Sequence, residues 1–263
     1  MKIRLFFTFF LIFTSSLFAD TNGIYDIRGS SPLLDTNLTQ FLDKWRYETI
    51  APVQNGTYKN VFVNGNTTQK TVALTFDDSP DENNTDKVLD VLSRYNVKAS
   101  FFMIASPMND ANATTVTRAS NEGHLVLGHC FTHPRLTDLT PEAITQQLNT
   151  TSERIEALTG KYPILYRPPY GSINQSVVDT VNTNGFATIL WSLDSLDWAI
   201  KDSNAIVNNV ITHIRDGDII LMHSSQANAA TVQALPEIIE KLHTLGYTFL
   251  KVDEILGLKA YKQ

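Results

Sequence analysis

From Thr71 onward the chain alternates short apolar runs with longer amphipathic stretches. The runs are VALTF (72–76), ASFFMI (99–104), LVLG (125–128), ILYR (164–167), FATILW (186–191), DIILMH (218–223) and YTFLKV (247–252). Nearly continuous apolar runs of this length suit strands buried on both faces. Helices are predicted between them, over 84–95, 112–122, 141–159, 174–184, 203–214 and 229–245. Pro141-Glu142 and Asn174-Gln175 are suitable helix starts, and Gly160, Gly185 and Gly246 suitable stops. Strand–helix alternation of this kind predicts an α/β fold with a mostly parallel sheet of about seven strands covered by helices. Periodicity alone does not say whether such a sheet closes into a barrel.

The pattern before Thr71 differs. Residues 20–70 read as a lead-in to a domain spanning 71–263. Within the lead-in, Phe41, Leu42, Trp45 and Ile50 have helical spacing, so a helix is expected over 39–50. The stretch GTYKNVFVNGNTTQK alternates around Asn64-Gly65, which predicts a short hairpin. The first residues have the form of a secretory leader. Lys2 and Arg4 precede an apolar run from Leu5 to Phe13, and small residues end at Ala19. The run is shorter than the roughly 20 residues needed to span a bilayer, so cleavage after Ala19 and export to the periplasm or medium are expected, with no stable membrane span afterwards.

Composition narrows the partners. The net charge of −6 and the lack of any lysine or arginine run leave no basic footprint for nucleic acid or anionic lipid. A single cysteine excludes an intramolecular disulfide framework and a thiolate-rich zinc site. Seven Asn-x-Ser/Thr sequons are the number that an Asn- and Thr-rich chain makes by chance.

The chemically useful side chains cluster where apolar runs end. VALTF leads into Asp77-Asp78, LVLG into His129, and ILYR into Pro168-Pro169-Tyr170-Gly171. FATILW is followed by Asp194 and by Asp197-Trp198, and DIILM by His223. In parallel α/β folds the loops after strand C-termini form one active-site mouth, so five polar clusters converge there. Each cluster alone has a plainer reading. Aspartates before Ser-Pro cap turns, histidine pairs occur on ordinary helix faces, and strand-end arginines pair with surface carboxylates. The spacing of His129 and His133 would place both rings on one face of a helical turn, with Cys130 about 100° away. One carboxylate added to two imidazoles gives a nitrogen–oxygen set suited to a divalent ion with an open position. Asp77 and Asp78, as neighbours in an extended strand, would point to opposite sides and serve different partners. His124 is a rival ligand, but it precedes its strand and faces the far end. Leu221 shares a strand face with His223.

In this order and spacing, TFDDSP, HCFTHP, RPPYG, DSLDW and LMH resemble the five motifs of the polysaccharide deacetylases, carbohydrate esterase family four. The resemblance covers roughly residues 70–255. It implies a distorted, partly open (β/α) barrel, a divalent metal (zinc first, with cobalt or nickel as alternatives) and an acetylated polysaccharide substrate. By position, Asp77 resembles the general base, and Asp78, His129 and His133 the metal ligands. Arg167 is similar to the arginine that orients the base, and the Tyr170 backbone N–H to the oxyanion donor. Asp194 resembles the carboxylate that tunes the general acid, His223, with Trp198 and Leu221 as walls of the acetyl pocket. The implied reaction is hydrolysis of N-acetyl groups on N-acetylglucosamine units. O-acetyl ester hydrolysis on xylan-like polymers and glycan binding without catalysis are the alternatives. Two positions depart from the family pattern: Ser79 stands where glycine is usual, and Cys130 where serine or threonine is usual.

Overall fold

The computed structural model describes residues 23–81 and 83–263, so the leader expected over 1–19 lies outside the described residues. The elements are α1 (Thr36–Gln54), β1 (Val61–Phe62), β2 (Thr71–Ser79), α2 (Asn84–Arg94), β3 (Ser100–Met103), α3 (Asp110–Asn121), β4 (Leu125–Gly128), α4 (Pro141–Thr159), β5 (Leu165–Tyr166), α5 (Gln175–Thr183), β6 (Ala187–Ile189), β7 (Leu193–Asp194), α6 (Ser203–His213), β8 (Ile219–His223), α7 (Ala229–Thr244), β9 (Thr248–Phe249) and α8 (Val252–Leu256). Eight parallel strands follow the order β1-β6-β5-β4-β3-β2-β8-β7 and curl into a half-barrel, and β9 pairs with the start of β2. Two of the eight were not separated in the sequence: β1 comes from the lead-in, and FATILW with the residues after it divides into β6 and β7.

Local chemistry accounts for the helix limits. Thr140 caps α4 through Ala143 N–H, and Gly160 ends it in the left-handed region at φ 70°. Asn174 likewise caps α5 through Val177 N–H. Helix α1 runs further than expected at both ends, because Asp35 accepts from Leu38 N–H at 2.8 Å and the last turn continues past Pro52.

Strand alternation sorts the core into two layers. Val72, Leu74, Phe76, Ile220 and Met222 face the covering helices in one apolar cluster. Ala73, Phe102, Leu127, Ile219 and Leu221 belong to a second cluster on the concave side. Thr75 and Asp77 continue the concave face of β2, and His223 continues that of β8. Asp77 and His223 are direct register partners across β2 and β8.

The lead-in is stitched into this sheet and does not form the expected hairpin. Val61 and Phe62 pair in parallel with Thr188 and Ile189. Arg28 N–H donates to Ser192 O, and Asp194 N–H to Arg28 O, so residues near Arg28 flank β7. Asn64 does not turn the chain back: its side chain binds Tyr25 N–H, Gly23 O and Gly65 O. Val61 and Val63 are buried against the sheet, and burying them there outweighs a local two-residue turn. Among the described residues no helix is long and apolar enough to cross a membrane.

Candidate active site

The strand ends open into a cavity of about 420 Å³ lined by Asp77, Asp78, His129, His133, Tyr170, Asp194, Trp198, Leu221 and His223, among others. Every expected site residue except Arg167 therefore lines one space, and Arg167 lies directly beneath it.

Asp77 and Asp78 reach the same space because β2 breaks its alternation. The register with β3 shifts between Asp77 and Ser79, and Asp78 takes φ 65°. This bulge corrects the expectation of carboxylates on opposite sides. It also places the positive φ on the second aspartate, so Ser79 does not need the freedom of a glycine.

Asp77 is held from below. Arg167 is fully buried, and one of its terminal nitrogens donates to Asp77 Oδ1 at 2.7 Å and to Thr75 Oγ1 at 2.8 Å. Its other N–H groups donate to Ile189 O and Leu190 O, and the guanidinium lies 4.1 Å from the Phe102 ring centroid. A planar cation anchored at four acceptors has one orientation, so Asp77 does as well. Thr75 was missed in the sequence. Its position two residues before Asp77, on the same strand face, was the available signal.

Asp78 meets the two histidines. His133 Nε2 is 3.2 Å from Asp78 Oδ1 and His129 Nε2 is 3.5 Å from it. Both rings come from a loop, not a helical turn. Cys130 at φ 68° and His133 at φ 61° fold residues after β4 back on themselves, and this corrects the helical-face reading of the spacing. His129 Nδ1–H donates to Arg167 O at 2.8 Å, which leaves its Nε2 lone pair facing Asp78. Asp78 Oδ1 is buried without a hydrogen bond. Three donor atoms within 4.8 Å of one another, one an otherwise unsatisfied carboxylate oxygen, fit a divalent cation.

His223 has a carboxylate partner, and it is Asp197, not Asp194. Asp197 Oδ1 accepts from His223 Nδ1–H at 2.7 Å, and Oδ2 accepts from His223 N–H and from Thr231. Asp194 Oδ1 instead accepts from Leu196 N–H and Trp198 Nε1–H. Leu196 at φ 62° makes the difference by turning the chain after β7, carrying Asp197 back to β8. Burial opposes the charged imidazole, but Asp197 overrides it and raises His223 to about 9. Asp194 sits in the same cavity, and burial pushes its carboxyl up.

Tyr170 takes φ 60° in the short turn Pro169–Gly171, and its ring meets His133 edge-on at 4.6 Å. His124 is remote from this group: its Nδ1 accepts from Ala99 N–H in the core. Cys130 is buried with Sγ 2.8 Å from Tyr166 OH, and burial pushes its thiol up to about 12.

The model of the family described as polysaccharide deacetylase matches residues 64–189. A peptidoglycan-N-acetylglucosamine deacetylase of Bacillus cereus is 36% identical over 194 residues, covering 73% of this chain and 90% of that protein. The chain belongs to the polysaccharide deacetylase family. Peptidoglycan-N-acetylglucosamine deacetylase PgdA of Listeria monocytogenes is 37% identical over 192 residues; the aligned region is 73% of this chain but only 40% of that longer relative. The crystal structure of the peptidoglycan N-acetylglucosamine deacetylase Bc1960 superposes with a TM-score of 0.75 at 32% identity, covering 79% of this chain and 97% of its own. The family model thus begins just before β2 and ends at β6, and α1 precedes the stretch that it matches.

Proposed function

We propose that this chain hydrolyses N-acetyl groups of an N-acetylglucosamine-containing polysaccharide, releasing acetate, with a divalent metal held by Asp78, His129 and His133. The observation that carries the reading is the placing of Asp77, fixed by Arg167, and His223, fixed by Asp197, on adjacent strands beside that three-ligand set. When bound, the ion would supply Lewis-acid polarisation of the acetyl oxygen and acidify water, as zinc does when it lowers a water pKa from about 15.7 to about 7.

The chain's own groups divide the rest. Asp77 accepts the proton of the attacking water, and Arg167 holds its carboxylate in place without entering the cavity. The Tyr170 N–H, presented by the φ 60° turn, donates to the oxyanion; one such donor is typically worth about 3–4 kcal/mol. His223 Nε2–H gives its proton to the leaving nitrogen while Nδ1–H stays on Asp197. Trp198 and Leu221 enclose the acetyl methyl group. The products are acetate and a glucosamine unit, and the leader read at 1–19 supports this chemistry taking place outside the cytoplasm.

An amide nitrogen cannot leave as an anion, whereas an ester oxygen makes a weaker demand on the acid. His223, held by Asp197 through Nδ1–H, is placed to give the amide nitrogen the proton it needs. Acetate release from chitooligosaccharides, peptidoglycan and acetylated xylan, with and without chelator, is the test. Release from the N-acetylated substrates that stops with chelator is expected. Release from xylan alone would make the chain an esterase, and no release with metal bound would make it a glycan-binding protein.

A further inference from the structure

We propose that helix α1 is a specificity-determining wall of the cleft and that Phe41 is the residue against which the glycan chain beyond the reacting sugar stacks; this rests on the deacetylase reading above. Three α1 residues, Phe41, Leu42 and Trp45, line the cavity that holds Asp77, Asp78 and His223. Trp45 lies one turn from both Phe41 and Leu42 and so adjoins each of them on the helix surface. Leu42 is buried, and Trp45 stacks on Trp191 with ring centroids 5.6 Å apart. Asp35 caps the helix, and Ile50 and Val53 are buried at its other end. The wall is therefore fixed in place.

Phe41 is different: it is 59% exposed. Among the described residues six large apolar side chains are exposed, and three of them, Phe41, Tyr170 and Trp198, line this one cavity. Clustered exposed aromatic groups mark a binding surface, whereas single scattered ones do not. The occupant is set by what the cavity serves. A ligand on this face must be continuous with the acetyl group presented to Asp77 and His223. The C–H faces of pyranose rings are apolar, flat and of a size to cover an aromatic ring, while their hydroxyl edges stay in water. Binding energy gained at such a remote unit contributes to turnover of long substrates and is absent from short ones.

The experiment compares Phe41→Ala with wild type on N-acetylglucosamine dimers and pentamers, using metal-loaded protein. Phe41→Ala should lower kcat/KM about tenfold for the pentamer and only about twofold for the dimer, chiefly through KM, and Phe41→Trp should restore the pentamer. Equal losses at both lengths, or none at either, overturn the inference. Pentamer binding followed by tryptophan fluorescence repeats the comparison without turnover. If Phe41→Ala binds the pentamer as tightly as wild type, the inference falls. If the wild-type chain releases no acetate while its binding still depends on Phe41, the deacetylase reading falls and the wall stands.

Discussion

The carboxylate of Asp197 lies 2.7 Å from Nδ1 of His223 and also binds that residue's backbone N–H, so one buried aspartate fixes both the ring and the chain that carries it. With His223 raised to about 9, the acid form that the proposed proton transfer requires persists through neutral pH.

Asp197→Asn should remove that support. The alkaline limb of kcat/KM is expected to move down by at least one pH unit, with activity at neutral pH falling about 10²-fold. Asp194→Asn should leave the limb in place, because Asp194 binds Leu196 N–H and Trp198 instead. Stability follows with a definite sign. A histidine whose folded value exceeds its unfolded value, about 6.5, contributes fully below pH 6.5, and the contribution is lost as pH rises through about 9. Urea unfolding from pH 6 to 10 should show this loss in wild type and a flatter profile in Asp197→Asn.

Metal and base should separate by mutation. Asp77→Asn is expected to bind one equivalent of zinc with nearly wild-type affinity while acetate release falls about 10²- to 10⁴-fold. His129→Ala should lose both, since it removes one of the three proposed ligands, whose other nitrogen is tied to Arg167 O. Elemental analysis after dialysis against a weak chelator, paired with an acetate assay, reads both quantities. An Asp77→Asn chain that takes up no metal yet works once metal is added would reverse the assignment.

Most of the scaffold was legible because its signals are local. The predicted span 141–159 coincides with α4, since Thr140, Pro141 and Gly160 each fix a boundary through their own backbone chemistry. The grouping of Asp78, His129 and His133 was also legible, although the route to it was not. The pair was read on a helix and sits on a loop, because the left-handed turns at Cys130 and His133 have no glycine to announce them. Asp194, assigned to His223 by resemblance, gives way to Asp197 for a related reason: Leu196 at φ 62° carries the second aspartate back, again with no glycine to announce the turn. The Asn64-Gly65 hairpin failed to form because Val61 and Phe62 pair with Thr188 and Ile189, a long-range contact that no local window contains and that leaves Val61 and Val63 buried. Phe41 and Trp45 gave only a helical period, which says nothing about which wall the helix builds.

Cys130 should be chemically silent. Its thiol, pushed up to about 12 by burial, is fully protonated at neutral pH and faces Tyr166 OH. Labelling with a thiol reagent is expected only after unfolding. Cys130→Ser keeps a group able to bond to Tyr166 OH and should retain metal and turnover within about twofold. A dead Cys130→Ser enzyme with intact fold and metal would give the thiol a role that its burial argues against.

Gly171 couples α1 to the turn that presents Tyr170. A Cβ at Gly171 would lie 2.6 Å from Cζ2 of Trp45 and 2.9 Å from Cη2 of Trp191, and the residue takes φ 59°. Gly171→Ala should therefore destabilise the chain by about 2–4 kcal/mol, part from the left-handed backbone and part from the collision. The two parts can be told apart. Trp45→Phe removes the outer ring atoms that a new Cβ would strike, so the double variant should be less destabilised than the sum of the single ones by about 1 kcal/mol. Urea unfolding of the four proteins measures that coupling. Strict additivity would mean that Trp45 does not press on the Tyr170 turn and that backbone strain and the Trp191 contact set the cost.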